Sequence, residues 1–173
     1  MGKALRNADL WTITAGATLF VAVLLVAAYW DRDIRWLHFL QGWMYVAAVA
    51  LSWRRSRWGY FIGFGAAALW NDLTLFVNSF LENGLEQAAM LLHSGHVARP
   101  DLFIAVPGWL GNLLVIVGCV WAYARLPRKR WADAGRVLVA TAATTAFFAL
   151  AMYVSQPRYL AQFPRMLHPH VHL

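Results

Sequence analysis

The sequence predicts an all-α integral membrane protein, a bundle of about five transmembrane helices, and three observations carry that prediction. The chain of 173 residues is 61% hydrophobic and only 13% charged, beyond what one soluble core of this length needs. Five apolar windows reach the roughly 20 residues required to cross about 30 Å of hydrocarbon at about 1.5 Å per residue. The Lys and Arg residues between those windows are dense in every second link and sparse in the others.

The first window covers about 10–30. It is too long for a secretory leader and ends in Ala28-Tyr29-Trp30-Asp31 rather than a small-residue cleavage site, so it is read as an anchor. The second, 36–53, lies between Trp36 and Trp53 and carries His38 and Gln41. The third, 58–81, runs from Trp58 to Leu81 and holds Asn71, Asp72, Thr74, Asn78 and Ser79 before reaching Glu82 and Glu86. The fourth is 102–124, with Pro107, Gly108, Gly111, Asn112 and the lone Cys119; the fifth is 137–155, with an Ala/Thr run from Ala140 to Ala146. Trp11, Trp30, Trp36, Trp53, Trp58, Trp121 and Trp131 stand at or just beyond these ends, where an amphipathic ring sits at headgroup level.

Basic loops are retained on the cytoplasmic side. One side carries Lys3, Arg6, Arg54, Arg55, Arg57, Arg125, Arg128, Lys129, Arg130 and Arg136. The other carries Arg32, Arg35, Arg99, Arg158 and Arg165, offset by Asp31, Asp33 and Asp101. The N-terminus is therefore expected inside and the C-terminus outside, in a cell (inner) membrane. The pI of about 10.2 is explained by this topogenic charge, so nucleic acid is not an expected partner.

The 82–101 link is expected to hold a short amphipathic segment, with Leu85, Ala88, Ala89 and Leu92 opposite Glu86 and Gln87. It would lie on the outer surface or continue the third span, with Asn83-Gly84 as the break. Residues 1–173 read as one domain, and 156–173 as an extended tail bearing histidines. Small residues supply the close helix contacts that lipid does not drive: the pair Gly59 and Gly63, Gly108 and Gly111, and the Ala/Thr run, with Pro107 permitting a kink. Gln41 and Asn112 are read as polar links between helices.

An ionisable residue deep in the third span requires burial or a wet cavity, which singles out Asp72. On a continuous helix Asn71, Thr74, Asn78 and Glu82 share about a third of the circumference, extending toward Glu86, with Asp72 and Ser79 on the flank. This polar stripe opens toward the outer side. On the same side the topology places His38, His93, His96, His168, His170 and His172. Imidazoles with a carboxylate form a ligand set for a transition metal such as copper or zinc. The plainer readings are a His38 that snorkels to the interface and an Asn71–Asp72 pair that ties helices together.

Nucleophile-elbow, phosphate-loop and zinc-helix motifs are absent, as are the dense His boxes of membrane di-iron enzymes and facing intramembrane His pairs for haem. Three functions stay open. The chain is a non-catalytic or accessory subunit docking other membrane subunits, or a metal-cation or small-solute carrier that self-associates. Alternatively it is a small enzyme on a lipid or isoprenoid, with Asp72 as acid or base and Glu82 or His38 as its partner.

Overall fold

The computed structural model describes residues 7–158, and among these every regular element is helical. The helices are α1 (Ala8–Trp30), α2 (Arg35–Trp53), α3 (Arg57–Asp72), α4 (Phe80–Ser94), the single turn α5 (Pro100–Phe103), α6 (Ala105–Ala124) and α7 (Ala132–Ser155). A 3-10 turn, Arg32–Ile34, joins α1 to α2, and a π-helical turn, Leu73–Val77, extends α3.

Four helical stretches are long and apolar enough to cross a membrane: Ala8–Trp30, Arg57–Val77, Pro100–Ala124 and Ala132–Ser155. The remaining expected crossing exists as the helix α2, but Arg35, His38, Gln41 and several Trp and Tyr residues lower its mean hydropathy below theirs. The seven Trp assigned to span ends are all exposed, Trp131 the most at 98%.

Four helices close a ring: α1 adjoins α2 and α6, and α3 adjoins the same two; α7 packs outside on α3 and more slightly on α2. The α1–α6 crossing is the tightest, because glycine lets the backbones meet. A Cβ on Gly16 would lie 2.6 Å from the Gly111 carbonyl oxygen, and one on Gly118 would lie 2.8 Å from the Ile13 nitrogen. Gly63 does the same for α3 against Ala48 and Cys119. Inside the ring Phe20 packs on Tyr45 and Trp70, with ring centroids 4.6 and 5.0 Å apart. Asn112, wholly buried, accepts a 2.5 Å hydrogen bond from the Tyr45 hydroxyl and donates to the Gly108 carbonyl, the interhelical role its sequence position implied.

Three expectations are corrected. Pro107 does not kink a span: it lies in the first turn of α6, where the missing N–H costs no ladder bond. The third span does not run as one α-helix from 58 to 81. It widens into the π-helical turn at Leu73, and the backbone becomes extended at Asn78 (φ −135°, ψ 161°). Asn83-Gly84 is not the break; both sit inside α4, where Gly84 packs on Ala105 and the Leu102 carbonyl. In α4 the apolar side formed by Leu85, Ala89 and Leu92 faces outward, while Leu81, Gly84 and Gln87 are buried. Gln87 is turned inward because its amide oxygen accepts from the Ala98 and Arg99 amides at 3.1 and 2.8 Å, tying down the loop after the helix.

Candidate functional site

The two ends of the bundle differ in chemistry. At the arginine end the start of α1, the α2–α3 turn and the α6–α7 loop come together around two buried carboxylates. Asp9 is wholly buried and pairs with Arg55 at 2.9 Å and Arg125 at 3.6 Å. Asp133 accepts from Arg57, from Arg136 at 2.7 Å, from the Arg130 amide at 3.0 Å and from the Tyr123 hydroxyl at 3.3 Å. Arg57 also donates to the Arg128 carbonyl, so one guanidinium fastens α3 to the α6–α7 loop.

At the opposite, histidine end, a cavity of about 370 Å³ opens between α1, α2, the π-helical turn, α5 and α7. Its walls are mostly apolar, with Leu24, Trp70 and Phe148 among them, and its polar groups are few: His38, Gln41, Thr74, Asn78 and two carboxylates, Asp31 and Asp101. The π-helical turn shapes one wall. Within it Thr74 gives its hydroxyl to the Trp70 and Asn71 carbonyls at 3.1 and 3.3 Å, and Asn78 ends the segment by accepting from the Phe80 amide at 2.9 Å. Departure from helix is tolerated at such depth where the backbone lines a cavity, and π-helical turns recur at functional positions.

Two groups on the walls are left without protein partners. The His38 Nδ1 is buried and makes no hydrogen bond. Gln41 is only 5% exposed, and its side-chain amide meets no partner among the described residues. A buried imidazole nitrogen and an amide without a protein partner on one apolar wall form a place where a bound molecule would find a donor and an acceptor.

The residues expected to form one site are divided. His38, Thr74 and Asn78 share the cavity; Asp72 does not line it, and neither does Asn71, whose buried side-chain oxygen lacks a partner. Asp72 is half-buried and makes no hydrogen bond or ion pair with the described residues. Glu82 and Glu86 are exposed on α4, displaced from the stripe because the break at Asn78 resets the helical phase, and His93 and His96 are exposed at and beyond the end of that helix. Among the described residues no three His, Cys, Asp or Glu side chains gather closely enough to hold a metal ion. His168, His170 and His172 lie outside the described residues.

Other polar residues at this end fix loops. Arg99, outside the apolar spans, donates to Asp101 at 3.0 and 2.7 Å, and those bonds hold its guanidinium above the ordinary arginine range. Gln156 donates to the Asp33 carbonyl at 2.6 Å, holding the end of α7 against the α1–α2 turn.

Asp9, Asp133 and Gln87 carry much of this architecture without standing out as site residues in the sequence. For the two acids the available signal was a carboxylate placed beside the basic residues of an arginine-rich segment, since a buried carboxylate there has cations to meet. Compared with protein-family models, curated proteins and solved structures, the chain matches none of them. Its four apolar helices nevertheless define the class to which the fold belongs: an all-helical bundle suited to a membrane.

Proposed function

We propose that the chain is a five-span protein of the cell membrane, N-terminus inside, acting without catalysis as a binding subunit of a larger assembly. Its ligand is a small, mainly apolar molecule with a hydrogen-bonding head, held in the cavity at the histidine end. The observation that carries this reading is the buried, unpartnered His38 Nδ1 on the wall of that apolar cavity, with the Gln41 amide, which has no protein hydrogen bond, on the same wall. Ligand cavities of roughly 300–1,000 Å³ with a few convergent polar groups are the common form of a small-molecule site.

The subunit half of the proposal rests on faces the fold leaves open. The small residues of α3 are consumed inside the bundle, but Ala142, Ala143 and Ala146 of α7 are exposed and allow a partner helix to approach closely. On α2, Trp36, Phe39 and Trp43 form an exposed edge-to-face ladder, with centroids 6.0 and 6.2 Å apart, of the aromatic kind enriched at interfaces.

The test is extraction and mass spectrometry of small molecules that copurify with the full chain, beside His38→Leu/Gln41→Leu. A molecule enriched with the wild type and lost from the variant is the expected result. Absence of any enriched molecule, together with a higher Tm of the variant, would show two polar groups that merely burden an empty cavity and would overturn the ligand. Capture in mild detergent that repeatedly returned this chain alone would overturn the subunit role.

A further inference from the structure

We infer that the arginine end carries a second site, an intramembrane groove that seats one anionic phospholipid. A depression of about 580 Å³ lies between α3, α6 and α7, walled by apolar and aromatic side chains such as Phe61, Phe64, Val120 and Val137. Lys129 and Arg130 stand at its mouth. The charges there are unequal. Asp133 also reaches the groove, but Arg57 and Arg136 already neutralise it. Lys129 and Arg130 make no ion pair among the described residues, and Lys129 Nζ rests 5.9 Å from the centre of the Tyr123 ring. An apolar channel that ends in two uncompensated cations complements a molecule with an acyl chain and a negative head. A basic pocket between helices at the membrane surface is a recurring site for anionic lipid. The fully exposed Trp131 beside them places this mouth at headgroup level.

The experiment is native mass spectrometry of the full chain in micelles containing equal amounts of phosphatidylglycerol and phosphatidylcholine. One phosphatidylglycerol should remain bound, preferred over phosphatidylcholine by roughly thirtyfold, the scale expected for two basic side chains near a headgroup. Lys129→Ala/Arg130→Ala should abolish the preference. Ala134→Phe, on an exposed position of the groove wall, should abolish retention, with Val120→Phe as a second blocking variant. Arg54→Ala, at the same end but outside the groove, should change neither. An undiminished preference for phosphatidylglycerol in the Lys129→Ala/Arg130→Ala protein would overturn the site. So would full retention in both groove-filling variants, which would mark attraction to the general basic surface, or displacement of the lipid by excess inorganic phosphate.

Discussion

Single residues decide stability here through which partner is left stranded. Asp9 is wholly buried, whereas the Arg55 side chain is 43% exposed, so the two halves of their ion pair are not equivalent. Arg55→Ala leaves a carboxylate in the interior, and we expect a loss of about 2–3 kcal/mol. That falls below the roughly 3–5 kcal/mol of a fully stranded buried charge because Arg125 remains. Asp9→Asn leaves cations that water can reach and should cost less; unfolding of both variants in detergent checks the order. Arg55 also holds a left-handed backbone (φ 54°), tolerated at the tight α2–α3 turn while Asp9 and Asn7 hold its side chain. Tyr45→Phe strips Asn112 of the donor to its buried oxygen and should lower stability by about 1–2 kcal/mol in the same assay. The sequence singled out Asn112 because an amide inside an apolar span needs a partner. It gave no reason to pair Asp9 with Arg55, since that contact depends on which loops meet.

At the scale of elements, glycine contact and helix phase matter most. Gly16→Ala would drive a Cβ into the Gly111 carbonyl, where only backbone movement relieves the clash, so α1 and α6 must separate at a cost of about 1–3 kcal/mol. Gly135→Ala, with nothing within 4 Å of the added carbon, should be neutral or stabilise by about 0.5–1 kcal/mol through helix propensity. Parallel thermal melts of the two variants separate packing from propensity. Asn78→Ala removes the acceptor for the Phe80 amide and should loosen the start of α4 by about 1 kcal/mol, read as faster amide exchange there. Hydropathy and terminal Trp residues located the helices because both follow from composition. They could not show the break at Asn78: a window average is blind to one extended residue. A polar stripe drawn with a constant 100° step therefore joined Asp72 to Glu82 across a discontinuity. The outward turn of Leu85 and Leu92 was hidden for a related reason, since in lipid an apolar face need not point to the core.

For the whole molecule, the separation of charge into two ends is the property most directly open to test. Ser94→Cys and Lys129→Cys, each exposed and at opposite ends, should react with an impermeant thiol reagent from opposite sides of the membrane; Cys119 is buried and contributes little background. Reaction of both from one side would remove the five-span topology. Alternating basic density was legible because it is a property of links in order, and the fold does gather Arg55, Arg57, Arg125 and Arg136 at one end.

The Arg57–Asp133 bond also sets a clock. The partners are 76 positions apart, and at synthesis rates of roughly 5–20 residues per second the arginine emerges about 4–15 s before its counterion exists. During that interval Arg57 is a cation without that counterion. Once Asp133 arrives the same side chain becomes a latch, so the contact that closes the finished bundle waits for the last helix.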